Sequence, residues 1–235
     1  MISAVIFDCD GVLVDSEVLA LEVELAILAE QGLSFEREDY VTRFMGLSYQ
    51  AFHDEIDAEA QKRIGRSISD TIRAELATRL RQTMIARLTE VPGAGAAIAG
   101  TSLLKAVASS STKEGLERKL RQVGLWSHFE PHVYSADHVA KAKPAPDLFL
   151  HAAEKLAVRP DACLVLEVSV NGVVAARAAG MWVWGFLGGG HVRDRHLHDR
   201  LGERLTAAGA ERLVRDWPEA ARLLAGLHAP DNQTP

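Results

Sequence analysis

Residues 5–15 read Val5-Ile6-Phe7-Asp8-Cys9-Asp10-Gly11-Val12-Leu13-Val14-Asp15. An apolar run breaks off into two acids separated by one residue. Ala4 to Phe7 predict a buried strand. Asp8 and Asp10 then lie at its carboxyl end, and Gly11 permits a tight turn just after them. Open α/β sheets bind ligands at the carboxyl ends of their strands. Two close carboxylates repel unless a cation lies between them or one keeps its proton. The pattern therefore points to a hard-metal site with oxygen ligands suited to Mg²⁺. The plain alternative is a solvated turn, because Asp and Gly also favour ordinary turns.

The 235 residues are 48% hydrophobic and 25% charged, which suits a globular protein with a sizeable core. One large domain, or one domain carrying an insertion, is expected. Lys and Arg number 26 against 32 Asp and Glu, a net charge of -6, and no basic stripe is present. Nucleic acid is therefore not an expected partner. Cys9 and Cys163 make no disulfide framework, which fits a reducing cytosol. No apolar run reaches membrane-spanning length. The first strand begins at once, so no signal peptide is expected and the protein is expected in the cytoplasm, as a monomer or weak homodimer.

After the acidic turn, Asp15-Ser16 is a candidate helix N-cap with Glu17 in the first turn. Val18, Leu21, Leu25 and Leu28 follow at helical spacing, with Gly32 as a stop. Residues 36–88 continue as helices, and Ile68, Ile72, Leu76, Leu80, Met84 and Leu88 mark one long amphipathic helix. Pro92-Gly93 marks the return to alternating elements. Strands are expected over 103–108, 132–135, 163–166 and 181–186. Helices are expected over 94–99, from 112 to about 123, over 147–156 and near 173–179. Gly188-Gly189-Gly190-His191 reads as a flexible loop, and the polar tail from Ala229 as frayed. Strands alternating with helices imply a parallel sheet.

Parallel connectivity would bring several strand ends to one edge. Asp8 and Asp10 follow the first strand. Ser109 and Ser110 follow the second, as hydroxyls and amides near a helix start that suit an anion. Lys143 precedes Pro144, which holds its backbone extended, and a compact ammonium there could steady a phosphate. Glu167 ends the fourth. Each signal is weak alone; a serine run is ordinarily a loop and a Lys-Pro ordinarily solvated.

In their order, these pieces resemble the haloacid dehalogenase-like superfamily of phosphohydrolases. The matching segments are Asp8-Cys9-Asp10-Gly11-Val12, Ser109 after its strand, Lys143-Pro144-Ala145-Pro146-Asp147 and the Glu167 strand end. The likeness is strongest to the β-phosphoglucomutase-like and sugar-phosphate phosphatase branch with a helical cap. It implies a doubly wound, Rossmann-like parallel core over 1–14 and 90–228, a mobile helical cap over 15–89 and a flexible tail over 229–235. It implies Asp8 as nucleophile, Asp10 as general acid/base, and Ser109, Ser110 and Lys143 as holders of the phosphoryl oxygens. It assigns Mg²⁺ to Asp8, Asp10 through its carbonyl, and Glu167. A small phosphorylated metabolite, a sugar or sugar-acid phosphate, is the implied substrate.

Two departures stand out. The branch places an acid after the glutamate of the fourth strand, where this chain has Val168, which cannot bind a cation. The Phe44-Met45-Gly46-Leu47-Ser48 segment resembles the substrate-contacting cap loop, and Gly46, Ser48 and Tyr49 are its candidate contacts. The mutases carry an arginine at the position of Tyr49 and a histidine at that of Ala20. Both losses favour simple hydrolysis over phosphate shuttling. The alternatives are a phosphomutase, or an impaired phosphometabolite-binding protein in view of Val168.

Overall fold

Among the described residues six parallel strands alternate with helices, and one all-helical block interrupts them after the first strand. The structure is a computed structural model that describes residues 1–44, 49–192 and 194–227, with side chains from residue 51 in the second span. The strands are β1 (Ala4–Phe7), β2 (Leu104–Ser109), β3 (Val133–Ser135), β4 (Cys163–Glu167), β5 (Trp182–Phe186) and β6 (Arg212–Val214). They form one sheet in the order β3-β2-β1-β4-β5-β6. The chain therefore winds outward in both directions from β1, and the crevice between β1 and β4 is the topological switch point. Register puts Phe7 opposite Leu166, and the Asp8 amide donates to the Leu166 carbonyl at 3.0 Å. Asp8 and Glu167 thus leave the sheet side by side.

The core helices are α5 (Ala94–Gly100), α6 (Lys113–Gln122), α7 (Asp147–Leu156), α8 (Val170–Ala178), α9 (Arg195–Ala207) and α10 (Trp217–Ala225). Alternate strand residues feed opposite cores. Val5, Phe7, Val107, Leu164 and Leu166 pack with α5, α6 and α10. Ala4, Ile6, Ala106, Cys163 and Val165 pack with α7, α8 and Leu205 of α9. Both sheet faces are buried, which is why these strands read as continuous apolar runs.

The interrupting block holds α1 (Ser16–Glu30), α2 (Arg37–Phe44), α3 (Tyr49–Ile64) and α4 (Ser69–Arg87). These helices share a separate core of Leu21, Ile27, Tyr40, Phe44, Ile56, Ile72 and Leu76. Val192 and Leu197 reach into that core from the segment after β5. The two connections to the sheet domain lie antiparallel: the Asp15 amide donates to the Thr89 carbonyl at 3.0 Å, and the Val91 amide to that of Leu13 at 2.9 Å. No helix among the described residues is long and apolar enough to cross a membrane.

Most expected elements lie within a few residues of the predicted bounds. Three elements, α9, β6 and α10, have no counterpart in the sequence reading. Asp15 does not cap α1 with its side chain. Its carboxylate instead accepts from the Gly190 amide at 2.8 Å, a buried contact 175 residues away in sequence. The 188–191 segment is accordingly packed and hydrogen-bonded rather than a free loop. A Cβ on Gly190 would lie 2.5 Å from Asp15, and one on Gly189 2.9 Å from the Gly11 carbonyl. The tail 229–235 and cap residues Gly46 and Ser48 lie outside the described residues, as does the Tyr49 side chain.

The turn after β1 is held from beneath by Trp217 at the start of α10. Its ring is fully buried against Phe7 and Phe186, and its Nε1–H donates to the Val12 carbonyl at 2.8 Å. Trp217→Phe keeps an aromatic ring but strands a buried carbonyl, which costs about 1–3 kcal/mol, and the smaller ring leaves a cavity that adds to the loss. We expect the unfolding free energy to fall by at least that amount, seen as a lower urea midpoint with an unchanged m-value. An unaltered midpoint would show that the turn does not depend on this bond.

Candidate active site

The switch-point crevice holds a buried charge cluster. Lys143, from the loop between β3 and α7, donates to Asp8 Oδ1 at 2.9 Å and to Glu167 Oε1 at 2.8 Å. Side-chain exposures of Lys143, Asp8 and Glu167 are 4%, 10% and 0%. Burial and the Glu167 charge raise the Asp8 carboxyl well above its ordinary range, and Lys143 only partly offsets them. Burial works against the Lys143 charge, but the two carboxylates outweigh it and keep the ammonium protonated. Glu167 Oε2 accepts from the Ser169 amide at 2.7 Å, so both its oxygens are engaged. A Cβ at position 172 would fall 1.8 Å from Glu167 Oε1, so only glycine fits there. The Ser169 hydroxyl then caps α8 by accepting from the Gly172 amide.

Asp10 sits in a different surrounding. Its Oδ1 accepts from Lys119 Nζ and from the Ser16 hydroxyl, each at 2.5 Å. Its Oδ2 accepts from the Ser111 hydroxyl at 2.9 Å. Burial opposes the charge, but Lys119 and the two hydroxyls overcome it and depress the carboxyl below its ordinary value. The two acids two residues apart are therefore pushed in opposite directions, the usual basis for separate acid and base roles.

Asp8, Asp10, Ser109, Ser110, Lys143 and Glu167 all line one cavity of about 660 Å³. Ser109 is buried at the end of β2 and its hydroxyl accepts from the Ser111 amide at 3.1 Å, while Ser110 is exposed. Val168, 8% exposed, forms part of the wall. Glu17, His191, Ser111, Asn171, Thr42, Arg200 and Arg204 also line the cavity, and the sequence reading assigned none of them to the site. Lys119 lies deep in α6, where it reads as one more surface charge in Glu-Arg-Lys. His191 is buried and neutral: burial lowers its pKa to about 4, and its Nδ1 has no partner. Burial, with Asp10 and Glu24 nearby, pushes Glu17 up to about 8.

A family profile described as haloacid dehalogenase-like hydrolase matches residues 2–180. Hexitol phosphatase B of Escherichia coli is 34% identical over 183 residues, 77% of this chain and 81% of its own length. A phosphorylated carbohydrates phosphatase of Thermotoga maritima is 31% identical over 225 residues, 90% of this chain and 94% of its own. The crystal structure of a haloacid dehalogenase-like protein from Agrobacterium tumefaciens superposes with a TM-score of 0.85 at 34% identity, over 97% of this chain and 99% of that one. The chain belongs to the haloacid dehalogenase-like hydrolases.

Hydrolases of this family generally use Mg²⁺. The residues present here do not make a complete site for it. A dication needs several anionic oxygens converging on one point. Among the described residues no three His, Cys, Asp or Glu side chains converge in that way. Both Glu167 oxygens are taken by Lys143 and Ser169, and the next residue is apolar. Asp10 turns its carboxylate toward Lys119, so only its main-chain carbonyl is left to offer a metal.

Glu17 supplies a test of the site's electrostatics. An unfolded glutamate releases its proton near pH 4.5, whereas the folded one keeps it to about 8. Over that interval the native state binds the extra proton, so stability falls as pH rises. Glu17→Gln removes that slope. We expect the variant to gain on the order of 2 kcal/mol over the parent at pH 9 and much less at pH 5.5, by urea unfolding. A gain independent of pH would mean that Glu17 titrates normally.

Proposed function

We propose that this chain is a phosphoric monoester hydrolase acting on a small phosphorylated metabolite, a sugar or sugar-acid phosphate, in the cytoplasm. The observation that carries it is the Asp8 carboxylate at the β1 end, held by Lys143 in a cavity that Ser109 and Ser110 also line. The names of the relatives, which refer to phosphorylated hexitols and carbohydrates, support the substrate class.

In this reading Asp8 attacks phosphorus and the ester oxygen leaves, giving an aspartyl-phosphate that water then hydrolyses. Splitting the reaction avoids one difficult direct displacement. A phosphate ester is anionic and repels a carboxylate. The Lys143 charge lies on Asp8 itself and offsets that repulsion. The Ser109 and Ser110 segment precedes α6 and offers hydroxyls and amides to the phosphoryl oxygens. Asp10, charged as described, suits the base that activates water. To donate a proton to the leaving oxygen it must first take one, and Lys119 opposes that step. Hydrolysis is favoured over mutase chemistry because Ala20 supplies no proton-transferring group. We further propose that residues 15–89 form a cap domain over a core of 1–14 and 90–228. The paired connections at Asp15 and Thr89 would be its hinge.

Asp8→Asn keeps the size of the side chain, and Lys143 retains Glu167. We expect a folded protein whose phosphate release falls by several orders of magnitude, on the order of 10³ or more. Full activity would remove Asp8 from the nucleophile's role.

Val168 makes a second expectation. Mg²⁺ here would be held weakly, at Asp8 and the Asp10 carbonyl, because the acid expected beside Glu167 is absent. Loss of a supporting ligand typically costs about 10–100-fold in metal affinity or activity. Val168→Asp should lower the Mg²⁺ concentration for half-maximal phosphate release by about that factor and raise turnover. Superimposable Mg²⁺ titrations of the two proteins would show that the existing oxygens suffice.

A further inference from the structure

The charge around the cavity is unevenly distributed. Asp8, Asp10, Glu17 and Glu167 line it, and Lys143 is already shared between two of them. Arg200 and Arg204 lie one turn apart on α9 and line the same cavity. Neither guanidinium has an ion pair or hydrogen bond among the described residues. Arg43, Arg63, Arg79 and Arg87 of the neighbouring helices each hold a carboxylate, whereas Arg81 and Arg195, like Arg200 and Arg204, hold none among the described residues.

A second observation points the same way. Thr42, on α2, lines this cavity, and its buried hydroxyl has no partner. The α2 helix packs on α9, so Thr42 and the two arginines line the cavity from adjoining helices. A buried hydroxyl without a partner is ordinarily destabilising and calls for a ligand or water. Two arginines and a hydroxyl offer donors with no carboxylate among them, and an anion's oxygens are the acceptors that match them. Val41, Leu197 and Leu201 form apolar wall on the same helices.

We propose that Arg200, Arg204 and Thr42 form a second anion subsite, and that the preferred substrate is a phosphorylated sugar acid with its carboxylate at the end remote from the phosphate. The proposal rests on the phosphatase reading above and adds to it the residues that choose among phosphate esters. A carboxylate offers two coplanar oxygens to a guanidinium fork. A bisphosphate would instead bring two groups of about -2 charge each into a cavity already lined by four acidic side chains. A neutral sugar phosphate would leave both arginines without a partner.

The test separates this from the hydrolytic reading by measuring binding without turnover. In the Asp8→Asn protein, calorimetry compares 6-phosphogluconate, glucose 6-phosphate and fructose 1,6-bisphosphate. The sugar acid should bind about tenfold tighter than glucose 6-phosphate, since charge-assisted hydrogen bonds at exposed arginines lie at the low end of their range. Arg200→Gln with Arg204→Gln should abolish that preference and leave glucose 6-phosphate affinity unchanged. In the otherwise native protein the same double variant should retain hydrolysis of p-nitrophenyl phosphate, which has no second anion. Equal binding of acid and sugar, a preference that survives the double variant, or no binding of any ligand would each overturn the subsite. Tightest binding of the bisphosphate would overturn the carboxylate assignment. Absence of p-nitrophenyl phosphate hydrolysis with an arginine-dependent preference intact would instead sink the phosphatase reading and leave the subsite standing.

Discussion

The Lys143 ammonium between Asp8 and Glu167 is the contact on which the site depends. It joins the ends of β1 and β4, which flank the switch point, to the loop that follows β3 on the other half of the sheet. Two buried carboxylates side by side would not remain charged in the absence of a cation. Removing one member of such a buried pair typically costs about 3–5 kcal/mol, because the remaining charge is left uncompensated. The consequences extend past the triad. Glu167 also receives the Ser169 amide, Ser169 caps α8, and Gly172 leaves the space that the Glu167 side chain fills. The entry of α8 is thus shaped around a carboxylate whose position Lys143 sets.

The fold was legible wherever local pattern and burial agree. The fully apolar runs at 4–7 and 163–166 mark central strands with both faces covered, and Asp147 to Leu156 is the helix its spacing predicts. The end of the chain was not legible for a physical reason. β6 contributes only Arg212, Leu213 and Val214, too short a run for period-two alternation to show. The α9 helix carries five charged residues between Arg195 and Arg204, so its buried Leu197 and Leu205 do not stand out as a stripe. The site follows the same division. Asp8, Asp10 and Lys143 declare themselves because strand ends and proline leave a local mark. Lys119, Glu17 and His191 reach the cavity only through tertiary packing, and their sequence neighbours give no sign of it.

Asp15 shows how far tertiary demand overrides a local preference. The sequence places it where a helix cap is favoured. The fold uses its carboxylate on the Gly190 amide instead. That bond draws the segment after β5 over the first turn, carrying His191 to Gly11 and Val192 into the core of the helical block. The same segment then leads into α9. One displaced cap therefore accounts for how a C-terminal helix comes to line a cavity whose chemistry lies at the N-terminus.

Val168 is consistent with this arrangement rather than an isolated defect. An acid there would add another carboxylate beside Asp8 and Glu167, and only a divalent cation would hold such a group together. With valine the balance is reached inside the protein. Lys143 supplies one positive charge to two carboxylates, and the raised pKa of Asp8 relieves the remainder. The Val168 side chain joins the core that packs the strand ends, close against Gly11. Within the protein the nucleophile's charge is therefore balanced by lysine together with its own raised pKa. Lys143 takes Oδ1 of Asp8 and leaves Oδ2 open, so a metal ion entering here would meet one Asp8 oxygen without the extra carboxylate that would help hold it.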